Sequence, residues 1–110
     1  MGRSVSRARL EGEWIHRHEE DSGTHQVFVR AGAPLPPSRG RRRLAFRAGG
    51  ALEGSVPGRS DAPEALQGSW SLAAPDRLLL VWATPEVGEE RFRVEEADAG
   101  RLVLVRVAER

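Results

Sequence analysis

The stretch LEGEWIHRHEED, residues 10 to 21, places three side chains capable of chemistry on alternate positions: Trp14, His16 and His18. Successive side chains of a β-strand point to opposite faces, so these three share one face and the two imidazoles stand about 6–7 Å apart. That spacing suits two ligands of one metal ion, and a histidine in an apolar pocket can also transfer a proton near neutral pH. The competing interpretation is structural, with both imidazoles hydrogen-bonded at one end of the fold.

A metal site needs more ligands, and the position of the third histidine depends on the register of the next strand. If the DSG sequence forms a three-residue loop, Gln26 and Phe28 join the histidine face and His25 points away. A two-residue turn at Ser22 and Gly23 would instead bring His25 onto that face. We favour the three-residue loop because it buries Phe28. We therefore predict no metal site, no cofactor and no catalytic residue, and we favour structural histidines.

The elements that position these residues are strands, because the apolar residues alternate with a period of two and the runs end in Gly, Pro, Asp and Ser. Eight strands are predicted, at about 9–18, 24–31, 41–48, 50–56, 67–74, 77–84, 89–97 and 101–108. Short turns favour antiparallel neighbours, so we predict an all-β, eight-stranded antiparallel up-and-down meander closed into a small barrel. An open sheet or a two-sheet sandwich is the alternative.

Length and composition limit the class of protein. The 110 residues suit one domain, predicted at 9–110 after a flexible segment at 1–8. The 17 basic and 16 acidic residues nearly balance, and the absence of cysteine excludes disulfides, thiolate metal sites and a cysteine nucleophile. Arginine in place of lysine indicates a GC-rich, bacterial genome. With no signal-like or membrane-spanning apolar run, we expect a cytoplasmic protein without a membrane partner.

One local patch is strongly basic. Five arginines fall within the stretch SRGRRRLAFR: Arg39, Arg41, Arg42, Arg43 and Arg47. Such a patch can bind phosphate groups or an acidic protein. However, alternation places Arg41, Arg43 and Arg47 on the outer face, where the acidic HEED and VEEAD segments can neutralise them. Because no outward aromatic residue lies among them to stack on bases, we favour a solvated face and expect no nucleic-acid partner.

The first strand carries Gly12-Glu13-Trp14, which resembles the G-x-W signature of lipocalins and related calycin barrels. A second G-x-W, Gly68-Ser69-Trp70, follows, and with RAGGALEG and LAAPDRLLL the chain is similar to small bacterial lipocalin-like proteins. The resemblance implies that Gly12 and Trp14 close one end of the barrel. It also implies that a basic side chain of the last strand, matched here by Arg106, covers the Trp14 ring in a cation–π contact.

The function implied first is a binding barrel that holds a small apolar ligand in its interior. The residues predicted to line that site are Trp14, His16, His18, Phe46, Trp70 and Trp82. For the three tryptophans, packing in the core is the favoured alternative. A protein-interaction module, possible as a homodimer through the apolar outer faces of strands six and eight or through the arginine-rich loop, ranks second. A small-barrel enzyme with His16 or His18 as acid or base ranks third.

Overall fold

The protein is described by a computed structural model for residues 5–36, 41–57, 63–73, 75–84 and 87–107. Its elements are a short helix, eight strands and one 3-10 turn. They are α1 (Arg7–Leu10), β1 (Gly12–His16), the 3-10 turn His18–Glu20, β2 (His25–Arg30), β3 (Arg43–Phe46), β4 (Ala51–Pro57), β5 (Pro63–Ala73), β6 (Arg77–Trp82), β7 (Glu89–Ala97) and β8 (Arg101–Arg106). In the described part of the chain, no helix is long and apolar enough to cross a membrane.

The strands form one closed antiparallel barrel, which confirms the predicted fold class. Around the barrel the order is β1-β2-β8-β7-β6-β5-β4-β3, and β3 returns to β1. Strands β3 to β8 follow one another as a meander, as does the β1–β2 hairpin. The order departs from an uninterrupted meander at one place, because β2 pairs with β8 and not with β3.

This departure lies in the proline-rich connection between β2 and β3. Both strands pair antiparallel with β1, so the chain must return along the length of β1 between Arg30 and Arg43. The sequence between them, AGAPLPPSRGRR, contains three prolines and two glycines, and it is far longer than a hairpin turn. A loop of that length permits the crossing, whereas the short turns elsewhere join strands that are neighbours.

The two barrel ends differ. At the capped end, α1 lies against the barrel, with Leu10 fully buried and Val5 N donating to Pro75 O at 2.7 Å. Ser6 accepts from Ala8 N at the start of the helix. Val5 therefore contacts the barrel, and residues 1–4 of the segment predicted to be flexible lie outside the described residues. The opposite end, here called the distal end, receives His16, Arg43 and Trp82 from the ends of their strands.

Alternation fills the barrel as predicted from the period of two. Fifteen described apolar side chains form the buried core: Leu10, Trp14, Phe28, Leu44, Phe46, Leu52, Leu66, Trp70, Leu78, Leu80, Trp82, Phe92, Val94, Leu102 and Leu104. Alternation also predicts that Leu72 and Ala48 point inward. Leu72 is half-buried and packs against the core, whereas Ala48 lies beyond the end of β3 and is exposed. Phe28 is buried opposite His16, as the favoured register predicts. The predicted three-residue DSG loop is wrong, because the 3-10 turn takes up the extra residues and Ser22 pairs with His25 around a two-residue turn.

Candidate functional site

The G-x-W motif occupies the capped end, as the resemblance implied, but the cation over its ring is a different residue. Trp14 is fully buried and its Nε1 donates to Leu10 O at 2.9 Å. The guanidinium of Arg30 lies 4.0 Å from the Trp14 ring centroid. Arg106 instead lies over Phe92, so its predicted contact with Trp14 is wrong. The reason is topological, because β2 stands between β1 and β8 and places Arg30 directly opposite Trp14.

Arg30 explains why the motif requires glycine. Its three nitrogens donate to three backbone carbonyls, those of Glu11 (2.8 Å), Arg9 (3.1 Å) and Ala99 (3.0 Å). A Cβ atom at Gly12 would lie 2.4 Å from Arg30 Nη1, and the φ of Gly12 is +120°, which L side chains rarely adopt. At the capped end, Arg30 thus connects α1, β1, β2 and the β7–β8 turn, and its role there is structural.

The two histidines of the opening stretch lie on different elements, but their rings stay 6.0 Å apart in an edge-to-face contact, close to the predicted spacing. β1 ends at His16, two residues earlier than predicted, so His18 lies on the exposed 3-10 turn and not on the inner face of a strand. The ring of His16 stacks on Phe28 at 4.9 Å, and its Nε2 lies 2.9 Å from Asp21 Oδ2. Asp21 also accepts from Val27 N at 3.0 Å. His16 is therefore held between β2 and the turn.

The HEED turn itself holds the crossing loop in place. Arg41 has a side chain only 7% exposed, and its Nη1 donates to His16 O and to Glu19 Oε1, both at 2.9 Å. Its Nη2 donates to Pro36 O at 2.8 Å and to the second oxygen of Glu19. The hydrogen bond from Arg41 lowers the pKa of Glu19 to about 2. Glu20 pairs with Arg101 at 2.5 Å.

Four of the six predicted ligand-binding residues are packed core side chains. Trp14, Phe46, Trp70 and Trp82 are each at most 4% exposed and belong to the same buried cluster. Phe46 meets Trp70 edge to face at 5.1 Å. Trp70 Nε1 donates to Arg47 O at 2.9 Å, as a buried indole requires. These contacts favour the packing interpretation of the tryptophans, and a ligand among them stays a prediction.

A polar cluster lies inside the barrel at the distal end, where sequence reasoning did not place one. It consists of Glu90, Arg42, Arg106 and Trp82, and we call it the distal cluster. Glu90 on β7 is 6% exposed. Its Oε1 accepts from Arg42 Nη1 at 3.0 Å and from Arg106 Nη2 at 3.1 Å. Its Oε2 accepts from Trp82 Nε1 at 2.6 Å and from Arg42 Nη2.

The charge state of Glu90 follows from these partners. Burial acts to raise the pKa of its carboxyl group, but the hydrogen bond and positive charge of Arg42 outweigh it, with help from Trp82 and Arg106. The net effect is a pKa below the ordinary value of 4.5, so the carboxyl is ionised at neutral pH. Two guanidinium groups thus surround one carboxylate, which leaves the distal cluster with one excess positive charge.

A sequence signal for this cluster exists in the alternation of two strands. Phe92 and Val94 were placed inward, and one further step of two reaches Glu90. In the same way, Leu44 and Phe46 extend back to Arg42, ahead of the start of β3. A buried carboxylate and a buried arginine on facing strands then need one another, because neither is found fully buried without a partner.

The distal cluster opens to a shallow, solvent-open depression of about 330 Å³, here called the distal cleft. The residues that line it are Arg42, Val87, Glu89, Glu90 and Arg106. Beneath it, the Trp82 ring packs against the backbone of β4, since a Cβ atom at Gly54 would lie 2.8 Å from Trp82 Cη2. Glycine at position 54 therefore makes the room that Trp82 occupies, and Trp82 forms the floor of the cluster.

The remaining arginines of the basic stretch are paired or lie outside the described residues. Arg47 contacts Glu53 at 3.0 Å and Glu13 at 3.3 Å on the outer surface. Arg43 is exposed, and Arg39 lies outside the described residues. Since Arg41 binds Glu19 and Arg42 points inward, the patch seen in the sequence does not form one surface.

Comparison with known proteins adds a fold relationship. No protein-family model matches the sequence, and no curated protein matches it. Among solved structures, the chain is similar to a lipocalin-like protein from Bacteroides uniformis ATCC 8492, with a TM-score of 0.53 over 89% of this chain and 96% of that one. The fold is lipocalin-like. At 13% sequence identity, this similarity confirms the shape of the barrel and carries no ligand across.

Proposed function

We propose that this lipocalin-like protein is a small-molecule binding barrel whose ligand site is the distal cleft. The observation that carries the proposal is a cleft of about 330 Å³ that reaches a buried, charged cluster. Ligand sites are commonly concave spaces of about 300–1,000 Å³ in which a few convergent polar groups fix orientation. Here Arg42, Glu90 and Arg106 are those groups, and Val87 supplies an apolar wall.

This proposal moves the ligand away from the deep interior predicted from the sequence. The interior aromatic side chains contact one another, and displacing them would cost the free energy of their burial, about 1.5–3 kcal/mol for each large side chain. The distal cleft requires no such displacement. Of the residues predicted to bind ligand, Trp82 is the one that contacts the distal cluster directly.

The test follows the three indole N–H groups by nitrogen-15 NMR while a set of small cationic, neutral and anionic compounds is titrated. Tryptophan-to-phenylalanine variants assign the resonances. We expect shifts of the Trp82 indole resonance, because its proton lies on Glu90, with Trp14 and Trp70 unmoved at the capped end. Shifts at Trp14 and Trp70 instead would establish the deep interior as the site. No shift with any compound would remove the binding function.

A protein-interaction module is the second candidate function, and one observation favours it. The outer wall of β5, β6 and β7 carries a groove of about 330 Å³ whose lining includes Ser71, Ala73, Arg77, Leu79 and Arg91. Leu79 is half-buried there although it points outward. Analytical ultracentrifugation of the protein and of Leu79→Glu tests a homodimer. A dimer lost on substitution supports it, and a wild-type protein that stays monomeric excludes it.

A further inference from the structure

The distal cluster contains more hydrogen-bond donors than acceptors. Each oxygen of a carboxylate offers two lone pairs. Glu90 Oε1 is occupied by Arg42 and Arg106, and Oε2 by Arg42 and Trp82. All four acceptor positions are therefore in use, and Glu90 has none left for an incoming donor. A ligand that binds by donating hydrogen bonds to this carboxylate would have to displace an arginine.

The arginines, in contrast, keep unused donors. Arg106 is 52% exposed and, within the described residues, donates one hydrogen bond from a guanidinium that carries five N–H groups. The stack of its guanidinium on Phe92, at 5.2 Å, fixes its orientation beside the cleft. Arg42 Nε is buried and has no hydrogen-bond partner among the described residues. Arg106 lines the distal cleft, so its unused donors border the proposed ligand site.

The charge of the site agrees with this surplus. Two guanidinium groups meet the single carboxylate of Glu90, which leaves one positive charge uncompensated. Glu89 also lines the cleft, but its carboxylate is paired with Arg91 at 3.0 Å on the outer face. A monoanion would balance the remaining charge, whereas a cation would meet repulsion from two arginines.

We propose that the distal cleft binds a compact monocarboxylate, held by the free edge of the Arg106 guanidinium; this inference rests on the proposed function. A carboxylate accepts two parallel hydrogen bonds from one guanidinium in a fixed geometry. The distal cleft is shallow and open to solvent, so the hydrocarbon part of the ligand is short and lies along Val87. The site therefore differs from one that stores a long apolar chain in the barrel interior.

The experiment titrates the full chain with acetate, butyrate and hexanoate, and in parallel with butanol, butylamine and inorganic phosphate. The readout is the Trp82 indole resonance. We expect the carboxylates to move it, with butyrate binding more tightly than acetate because of the Val87 contact. Butanol and butylamine should bind at least about tenfold more weakly, since they cannot accept two hydrogen bonds from Arg106.

Variants of Arg106 complete the test. Arg106→Gln should weaken carboxylate binding about tenfold or more. Arg106→Lys keeps the charge but loses the paired donors, so its affinity should lie between those of the wild type and Arg106→Gln. Arg47→Gln, an exposed arginine on the outer surface, is the matched control and should bind as the wild type does. Urea denaturation of each variant establishes that it is folded.

The outcomes separate this inference from the proposed function. If butanol, butylamine or phosphate moves the Trp82 resonance at lower concentration than butyrate, the distal cleft binds a ligand of another class and the carboxylate assignment is wrong. Unchanged butyrate binding in both Arg106 variants would also overturn it. If none of the six compounds moves the resonance, the binding function of the cleft fails as well.

Discussion

At the scale of single residues, the candidate functional groups are a buried glutamate and its arginine partners, and not the two histidines that the sequence suggested. His16 is held by Asp21 and Phe28, and His18 lies on a surface turn. The buried ionised groups are instead Glu90 and Arg42, which the low dielectric of the barrel interior forces to act as a pair. Both residues lie in charged stretches of the sequence, RGRRR and GEERFRVEE, so composition did not single them out.

Removing the Glu90 charge should destabilise the barrel strongly. Glu90→Gln leaves Arg42 mostly buried without its counter-charge, and we expect a loss of about 3 kcal/mol in the free energy of unfolding at neutral pH. Urea denaturation measures it. Glu89→Gln, on the neighbouring exposed position, is the control and should change stability little. An equal, small effect of the two substitutions would contradict the buried pair.

The glycine of the G-x-W motif gives a second prediction at this scale. In Gly12→Ala the new Cβ atom would clash with the guanidinium of Arg30, and the residue would keep a φ that is strained for alanine. We expect a loss of about 2–3 kcal/mol in the free energy of unfolding. Gly32→Ala is a matched control, because Gly32 has a φ of +97° but nothing within 4 Å of the added Cβ. Gly32→Ala should lose about 1 kcal/mol of unfolding free energy, because backbone strain alone acts there. Equal losses in thermal or urea unfolding would mean that Arg30 moves aside freely.

At the scale of elements, the barrel depends on two local devices at opposite ends. Helix α1 caps one end with Leu10, whose carbonyl also receives the Trp14 indole. At the distal end, two consecutive arginines fix the start of β3 from both sides: Arg41 binds the HEED turn outside, and Arg42 binds Glu90 inside. Both devices join parts of the chain that are not neighbours in the sheet.

Truncating the cap residue should show that α1 belongs to the core. Leu10→Ala removes a fully buried side chain, and we expect a loss of about 3 kcal/mol in unfolding free energy and a red shift of tryptophan fluorescence as Trp14 becomes hydrated. Leu79→Ala, on a half-buried outer position of β6, should cost less. A wild-type stability for Leu10→Ala would mean that the helix end does not contribute to the cap.

Releasing the crossing loop should have a local effect. Arg41→Gln removes the bonds to Glu19, His16 and Pro36, and we expect faster amide hydrogen exchange at His16, whose N–H donates to Arg42 O. Exchange at core amides of β6 should be unchanged. Arg43→Gln, at the exposed first residue of β3, is the control. If both variants exchange alike at His16, Arg41 does not hold the loop.

At the scale of the whole molecule, acidic residues link stability to pH. The pKa values of Glu90, Glu19 and Asp98 lie below their ordinary values in the folded protein, mainly because of hydrogen bonds and neighbouring arginines, which for Glu90 outweigh burial. A carboxylate with a lowered folded pKa stabilises the protein above its unfolded pKa. That stability is lost as pH falls through the folded value, because the unfolded chain then binds more protons.

The melting temperature should therefore be nearly constant from neutral pH down to about pH 4.5, the ordinary pKa for Glu90. Below that pH it should decrease, and the decrease should continue to about pH 2, the folded pKa of Glu19. In Glu90→Gln the fall should be shallower, since the largest buried contributor is absent. Calorimetry across this range measures both curves. A melting temperature that rises in acid, or equal slopes for the two proteins, would contradict this account.

The sequence alone determined the class of the fold and most of its core. Alternation of apolar and polar residues is a local property of each strand, so Phe92 and Val94 on β7 can be placed inside without knowing which strands pair. Phe28 depended in addition on the register of the first hairpin. The bounds of β7 were also predicted without error, because charged and apolar residues alternate along it and a turn follows. The G-x-W motif placed Trp14 correctly for the same local reason.

Only the tertiary structure decided which distant residues meet. The pairing of β2 with β8, and so the choice of Arg30 over Arg106 for the Trp14 ring, depends on how the barrel closes, which no single segment encodes. The end of β1 at His16 depends on Arg41 and Asp21 stabilising the turn. Glu90 and Arg42 are 48 positions apart, and their pairing follows from the cost of burying either charge alone.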